Sequence, residues 1–224
     1  MRVLLLCLIM SFGLSAPVLA ESSAYIQALE RLHKFNRYRP EQSAKHVPSK
    51  DILAGRILDR TNRVIGEVRD VILDRNGNIA MLNVDFNRMN LGVESLVINY
   101  NQMGTRPATN GYKIGRTDDQ IAGMLPDLLA ATETASGNNA QIFSLRKIVG
   151  KKIYNHKGKK LGKIERVLFD STGARAELLF IKMDQKSIRG KKMAIPFTSA
   201  SYKKNKISVK KDFASAMVSY AKGK

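Results

Sequence analysis

The fold is decided by a stretch of thirteen residues that occurs twice, as IGEVRDVILDRNG at residues 65–77 and as LGKIERVLFDSTG at residues 161–173. The second stretch begins 96 residues after the first. Both have glycine at the second and last positions, valine at the seventh and aspartate at the tenth. Agreement at a fixed spacing is the signature of an internal repeat, and we predict a duplicated domain.

The match extends beyond this stretch on both sides. We align Gly55 with Gly150, Ala80 with Ala176, Leu82 with Leu178, and residues 96–100 (LVINY) with residues 193–197 (MAIPF). Each copy then closes with a short strand and a helix, with the helices predicted at residues 118–125 and 212–220. The two copies therefore have the same predicted order of elements.

The pattern within each copy is typical of short β-strands. Apolar side chains alternate along residues 79–86, which is the period of a strand with one buried face. The polar segments DRNG and DSTG predict hairpin turns in which Gly77 and Gly173 supply a positive φ, and Gly66 and Gly162 predict bulges or bends within strands. We predict a mainly β fold of two tandem small barrels, each ending in a short helix, preceded by a short N-terminal helix.

The second copy resembles the PRC-barrel family, named for the H subunit of the photosynthetic reaction centre. The resemblance rests on GKKIY at residues 150–154, GKKLGKI at 158–164, VLFD at 167–170 and AIPF at 194–197. It implies a small β-barrel adaptor that docks on protein or ribonucleoprotein partners and has no shared catalytic residues.

The first copy is similar to the same family but departs from it at two positions. Asn62 stands where the family and the second copy have glycine, and Asn99 stands where the second copy has Pro196. Neither change breaks a structural requirement. The two resemblances together cover residues 51–125 and 145–220.

The first twenty residues are typical of a secretory signal peptide. Arg2 gives a positive start, residues 3–14 are almost entirely apolar, and the sequence before Glu21 has the form of a cleavage site. We predict cleavage after Ala20 and a periplasmic or secreted protein, with an uncleaved membrane anchor as the alternative. Cleavage would remove Cys7, the single cysteine, and with it any disulfide, thiolate metal site or cysteine nucleophile.

The remaining chain divides into four predicted segments. Residues 21–50 form a short helix and a linker, and we expect the helix, through Tyr25, Leu29 and Leu32, to pack against the first barrel. Residues 51–134 form the first barrel-like domain, whose trailing helix is broken at Pro126. Residues 135–142 form a linker, and residues 143–224 form the second barrel-like domain.

The net charge of +19 belongs almost entirely to the second domain. Residues 21–142 contain 15 Lys and Arg against 14 Asp and Glu, whereas residues 143–224 contain 22 against 5. Because the first copy lacks this charge, the fold does not require it. Lysines act as point charges suited to diffuse anionic surfaces. The candidate anion-binding residues are Lys151, Lys152, Lys157, Lys159, Lys160, Lys163, Arg189, Lys191, Lys192, Lys203, Lys204 and Lys206.

The sequence predicts no catalytic, cofactor-binding or metal site. His33, His46 and His156 lack the spacing of metal ligands. The segment that begins at Asp74 resembles the start of a calcium loop, but Ile79 stands where such a loop needs glycine. We therefore do not expect an enzyme.

The leading functional hypothesis is an exported, non-enzymatic binding or adaptor protein. In this hypothesis the first barrel binds a protein partner, and the basic second barrel binds an anionic envelope surface or an acidic protein. A nucleic-acid (RNA)-binding protein is one alternative, less favoured because Tyr154 and Tyr202 are the only aromatic residues among the lysine clusters. An envelope enzyme with an unrecognised site is the other.

Overall fold

The computed structural model describes residues 16–37, 39–135, 143–203 and 206–223. Most of the predicted signal segment, most of the predicted 135–142 linker, and Lys204 lie outside the described residues. The helices are α1 (Ala16–Asn36), α2 (Ser49–Leu53), α3 (Asp118–Gly123), α4 (Leu125–Ala135), α5 (Leu145–Ile148) and α6 (Lys211–Lys222). Short 3₁₀ turns lie at Pro40–Gln42, Lys186–Ile188 and Phe197–Ser199.

The fold is mainly β, as predicted, and its strands form two curled sheets. The first seven strands are β1 (Val47–Pro48), β2 (Arg56–Leu58), β3 (Val64–Leu73), β4 (Ile79–Asp85), β5 (Leu96–Asn99), β6 (Arg106–Ala108) and β7 (Gly111–Lys113). The second seven are β8 (Phe143–Ser144), β9 (Lys152–Tyr154), β10 (Lys160–Phe169), β11 (Ala176–Met183), β12 (Lys192–Pro196), β13 (Ala200–Lys203) and β14 (Lys206–Val209).

The two sheets have the same topology. The first unit, β2–β7, has the strand order β5-β4-β3-β2-β7-β6, and the second unit, β9–β14, has the order β12-β11-β10-β9-β14-β13. Within each unit one pair is parallel, β2 with β7 and β9 with β14, and the other pairs are antiparallel. We predicted small barrels. Among the described residues no ladder joins the outer strands of either sheet, so both sheets are curled but not closed by hydrogen bonds.

The structure corrects the sequence alignment of the repeat by one residue in two places. Leu73 pairs with Ile79 in the first unit, and Phe169 pairs with Ala176 in the second. The second hairpin therefore contains one more residue than the first, so Leu179, not Leu178, occupies the position of Leu82. Upstream, the Gly55 carbonyl accepts a hydrogen bond from the Val68 amide, and the Lys151 carbonyl accepts one from the equivalent Ile164 amide. Gly55 therefore aligns with Lys151 rather than with Gly150.

The short strand before each unit belongs to the sheet of the other unit. In β1, Val47 pairs with Phe169 of the second unit, and in β8, Phe143 pairs with Leu73 of the first. These two pairs are related by the 96-residue repeat. The predicted 21–50 linker thus ends in a strand that completes the second sheet. Each sheet is therefore completed by a segment that precedes the other unit, and the buried side chains of both units form one continuous core.

The β3–β4 and β10–β11 hairpins meet at the seam between the units. Asn78 and Arg175 form an antiparallel bridge, and the Ala176 amide donates to the Gly77 carbonyl at 2.8 Å. The Tyr112 hydroxyl donates to the Gly173 carbonyl at 2.9 Å. Since the bridge is antiparallel, β4 and β11 leave the seam in opposite directions.

Four tight turns, two in each unit, contain a residue with positive φ at equivalent positions. Gly77 and Gly173 have φ values of 87° and 79°, in the left-handed region that glycine adopts without strain. Asn62 and Gly158 occupy equivalent turns with φ values of 70° and 79°, and asparagine is among the few other residues tolerated there. The departure at Asn62 therefore preserves the turn.

The N-terminal helix packs against the second unit, which corrects our expectation that it would cover the first. The Asn36 side chain donates to the Ala194 carbonyl at 2.8 Å and accepts from the Ala194 amide at 2.7 Å, while Phe35 covers an apolar patch on the outer face of the second sheet. The patch consists of Leu168, Leu178, Phe180 and Ala194. In the first sheet the position of Phe180 is occupied by Asn83. The Val97 amide, which is equivalent to the Ala194 amide, donates to the Thr132 hydroxyl of α4 at 2.8 Å, so α4 occupies that face instead.

Candidate anion-binding surface

Four lysines stand directly opposite one another across four neighbouring strands of the second unit. Lys152 on β9 pairs with Lys163 on β10, Lys163 pairs with Lys182 on β11, and Lys182 pairs with Lys192 on β12. All four side chains are exposed. Residues in direct register share one face of a sheet, so these side chains form a continuous line, which we call the lysine row.

The lysine row carries an energetic cost within the fold. Neighbouring strands lie about 4.8 Å apart, and like charges directly opposite one another destabilise a sheet. Lys192 is compensated by Glu165, whose carboxylate lies 2.9 Å from the lysine Nζ. Within the described part of the chain, Lys163 and Lys182 have no hydrogen bond or ion pair from their ammonium groups. The two central charges of the row are therefore left for solvent or a partner.

The equivalent positions of the first unit show that the fold does not need this charge. There the row contains Arg56, Glu67 and Asp85, paired in the same register. Arg69 also donates to Asp85 at 2.6 Å. The same place on the same topology is thus occupied by mixed charges in one unit and by lysines alone in the other.

Several of the predicted basic residues have structural partners. Lys160 and Arg189 both pair with Asp184, the latter at 3.7 Å. The hydrogen bond and charge of Lys160 lower the pKa of Asp184. Lys191 donates to the Ala221 carbonyl near the end of α6 at 2.6 Å, where a cation is favourable. These contacts hold the loop between β11 and β12 in place, so these side chains are only partly available to a ligand.

The other predicted residues are distributed around the same end of the sheet. Lys151 precedes β9, and Lys157 and Lys159 lie in the β9–β10 turn, all three exposed. The Lys206 ammonium lies 4.7 Å from the centre of the Tyr154 ring, a cation–π contact. Lys203 is part of β13, although its side chain is not described, and Lys204 lies outside the described residues.

Lys182 is the residue that sequence reasoning missed. It is central to the row, because it pairs with lysine on both sides. It stands alone in the sequence, away from the lysine clusters, so clustering could not find it. Only the strand register identifies it, and that register depends on the additional residue in the second hairpin.

The acidic residues of the second unit cannot neutralise this surface. Residues 143–224 contain five of them. Glu165 and Asp184 bind the lysines and arginine already named, and Glu177 faces His46 at 3.4 Å. Asp170 accepts hydrogen bonds within its hairpin turn, and Asp212 lies in the first turn of α6. Four of the five therefore have a partner within the protein, and five carboxylates against 22 Lys and Arg leave an excess of positive charge open to an external anion.

The aromatic residues near the lysines are occupied within the protein. Tyr154 lies beneath Lys206, and Tyr202 stacks on Phe143 with ring centres 4.2 Å apart. Burial raises the pKa of Tyr202 well above its ordinary value. Neither ring is free to stack on a nucleic-acid base, which is how single strands are usually held.

The described part of the chain has a cleft at the seam between the units and no cluster of metal ligands. No group of three or more His, Cys, Asp or Glu that could hold a metal occurs among the described residues. A cleft of about 680 Å³ lies at the seam, lined by residues that include Asp51, Arg56, Asn110 and Thr172. Burial raises the pKa of the nearby Tyr100 to about 12, so that phenol stays protonated at neutral pH.

Asp59 is the one fully buried carboxylate of the described core, and its environment is structural. Burial alone would raise its pKa, but hydrogen bonds from Thr61 and Arg63 outweigh that effect and lower the pKa. Asp59 is therefore ionised at neutral pH and holds the turn between β2 and β3. A general acid would need the opposite shift.

The second unit has a recognisable family. Residues 140–214 match the PRC-barrel domain family model. The match covers β8–β14 and the start of α6, and it confirms the resemblance predicted for the second copy. PRC-barrel domains are generally non-catalytic. The resemblance of residues 51–125 to a PRC-barrel stays a prediction.

Two further observations bear on the protein as a whole. No curated protein matches this chain. Across the described residues, none of the helices is both long and apolar enough to span a membrane.

Proposed function

We propose that this protein is a non-catalytic binding protein of the bacterial cell envelope whose PRC-barrel unit attaches to an anionic membrane surface through the lysine row. The observation that carries the proposal is the in-register line of Lys152, Lys163, Lys182 and Lys192. Like charges directly opposite one another destabilise a sheet, and an anionic partner would compensate for that cost. The first unit, whose equivalent row has mixed charges, is proposed to bind a protein partner.

The chemistry of the row favours a lipid surface over other anionic partners. Lysine presents a compact charge without the planar fork that arginine uses for bidentate recognition. A cation near an anionic leaflet contributes about 1 kcal/mol, and the contributions add when several cations face it together. With Tyr154 and Tyr202 engaged within the protein, binding of RNA is less favoured.

The tandem arrangement and the export of the protein belong to the same proposal. The two units have the same strand order, and β2 and β3 are followed 96 residues later by β9 and β10. Gly66 and Gly77 of the first unit correspond to Gly162 and Gly173 of the second. We propose that the first unit is a second PRC-barrel that has lost the sequence signature. Residues 1–20 are proposed to direct export, with cleavage after Ala20.

The proposal is tested by vesicle binding. The protein is expressed with its own N-terminus, purified from the host envelope, and mixed with neutral phosphatidylcholine vesicles or with vesicles that also contain phosphatidylglycerol. We expect binding to the anionic vesicles alone, and we expect it to weaken steeply as salt is raised. Absence of binding at low salt would overturn the proposal. Salt-insensitive binding to both kinds of vesicle would also overturn it, since it would assign attachment to apolar contacts.

A matched pair of variants assigns binding to the row. Lys163→Gln with Lys182→Gln removes two charges from the row, and Lys45→Gln with Lys147→Gln removes two exposed charges elsewhere. At about 1 kcal/mol per lysine, the first variant should bind roughly 30-fold more weakly. The second should stay close to the unaltered protein. Equal loss in both variants would show that only net charge matters.

A further inference from the structure

The lysine row lies at one end of the molecule, and its first-unit counterpart lies at the other. The antiparallel bridge between Asn78 and Arg175 sends β4 and β11 away from the seam in opposite directions. Asp85 is the last residue of β4, and Lys182 is the next-to-last residue of β11. Each is six residues beyond the start of its strand, a distance of up to about 20 Å at 3.3 Å per residue. The two positions are therefore up to about 40 Å apart.

The remaining positive charge gathers at the same end as the row. The β9–β10 turn lies there because Lys160, at the start of β10, pairs with Tyr154. The β11–β12 loop lies there because the Met183 amide donates to the Lys191 carbonyl at 2.8 Å. We call this the basic end. Its acidic residues are Asp184 and Glu165. Its basic residues are the lysine row together with Lys157, Lys159, Lys160, Lys186, Arg189 and Lys191.

The opposite end, which we call the distal end, has charges of both signs, since Arg60, Lys113 and Arg116 lie near the acidic Asp59 and Asp118. It contains the β2–β3 turn, where Arg63 pairs with both Asp59 and Asp118. It also contains the start of the loop from residue 86 to residue 95, where Asn87 and Arg88 are exposed. An anionic surface acts on charges only within a Debye length, about 8–10 Å at physiological salt. A surface that attracts the basic end therefore exerts no attraction on the distal end.

We propose that the protein docks end-on on an anionic lipid surface, with the basic end in contact and the distal end held away from it. This inference rests on the proposed function, which requires only that the surface is bound. End-on docking places the β2–β3 turn and the 86–95 loop up to about 40 Å from the lipid headgroups. The distal end then becomes the surface presented to a second, protein partner, and the molecule is a spacer with two unlike ends.

The orientation is measured with single fluorescent labels. Cys7 is the only cysteine in the chain and is replaced by serine. New cysteines are introduced one at a time at three exposed positions, Ser187→Cys at the basic end, Ser171→Cys at the seam and Asn87→Cys at the distal end. Energy transfer is measured from each label to an acceptor on the headgroups of phosphatidylglycerol-containing vesicles.

We expect transfer to be strongest from position 187, intermediate from 171 and weakest from 87. Equal transfer from all three labels, with binding retained, would overturn end-on docking while leaving membrane attachment intact. Loss of vesicle binding by all three proteins would overturn attachment and orientation together. In the Lys163→Gln, Lys182→Gln background the order should disappear, whereas in the Lys45→Gln, Lys147→Gln background it should persist. Persistence in both would show that the row does not set the orientation.

Discussion

Val47 precedes the first sheet in the chain, yet its backbone pairs with Phe169 of the second sheet. Phe143 reciprocates by pairing with Leu73 of the first sheet. Next to the first of these pairs, the Ser49 hydroxyl accepts a hydrogen bond from the Val167 amide at 3.2 Å. The two units therefore exchange the segments that complete them, and neither is complete without the other.

This exchange predicts that the protein unfolds as a single cooperative unit. Separating the units would expose β10 along its pairing with β1 and would uncover the hydrophobic core at the seam. Thermal unfolding followed by calorimetry and by circular dichroism should give one transition, with equal calorimetric and van't Hoff enthalpies. Two resolved transitions would contradict this interpretation. For the same reason, function is tested on the whole chain rather than on isolated halves.

Gly66 is predicted to be a glycine of the first unit that alanine cannot replace without a loss of stability. A Cβ at this position would clash with the Asp85 carbonyl oxygen and approach the Phe86 Cα to 3.2 Å. Gly66→Ala should therefore force β3 and β4 apart and cost about 2 kcal/mol or more of unfolding free energy, measured by urea denaturation. Gly123→Ala is the matched control, since a Cβ there meets nothing within 4 Å. At the end of α3 it should be neutral or stabilising by up to about 1 kcal/mol. Equal effects of the two substitutions would contradict the assignment.

Asn36 is predicted to anchor α1 to the edge of the second sheet. Asn36→Ala removes three hydrogen bonds, one to the Leu32 carbonyl and two to Ala194, and leaves the buried Ala194 amide without its partner. We expect a loss of about 1–3 kcal/mol in urea denaturation and faster proteolysis within α1. Glu30→Ala, an exposed change in the same helix, should leave both readouts unaltered. Unchanged proteolysis of the Asn36 variant would show that apolar packing alone holds the helix.

Asp59 is predicted to make the stability of the protein depend on pH in the acid range. Its pKa is lowered in the folded state, so its contribution is complete above the unfolded pKa of about 3.9 and is lost as pH falls through the folded value. Asp59→Asn should reduce the slope of unfolding free energy against pH below about pH 4, and it should lower stability at pH 7 because an amide NH₂ would face Arg63. Asp127→Asn, an exposed change in α4, should keep the original slope. An unaltered slope in the Asp59 variant would contradict the role assigned to this carboxylate.

The parts of the fold that the sequence predicts are those governed by local chemistry. The hairpin turns at Gly77 and Gly173, the bulges beside Gly66 and Gly162, and the mainly β class all follow from residue type and spacing. The exchanged strands β1 and β8 could not be predicted, because each is only two residues long and is too short to show the alternation of apolar and polar residues that identifies a strand. The position of α1 could not be predicted either, since Leu29 and Leu32 define an apolar face but do not identify the sheet that it covers.

The candidate site shows the same division. Composition alone locates the positive charge in residues 143–224, and clustering finds most of the lysines. The row itself depends on which residues are paired across strands. That pairing shifts by one residue because Ala174 lengthens the second hairpin. The alignment at a constant spacing of 96 residues would match Asp85 with Ile181, whereas the strand register matches Asp85 with Lys182.

Lys182→Glu tests the lysine row most directly, because the substitution should have opposite effects on stability and on binding. The substitution places a carboxylate between Lys163 and Lys192, so it should raise unfolding free energy by about 0.5–2 kcal/mol through two favourable cross-strand pairs. The same protein should bind phosphatidylglycerol-containing vesicles far more weakly than the unaltered protein at low salt, while Lys45→Glu should not. A stabilised protein with weakened binding is the predicted result. Vesicle binding by Lys182→Glu equal to that of Lys45→Glu would contradict the claim that the lysine row is the anionic-surface contact.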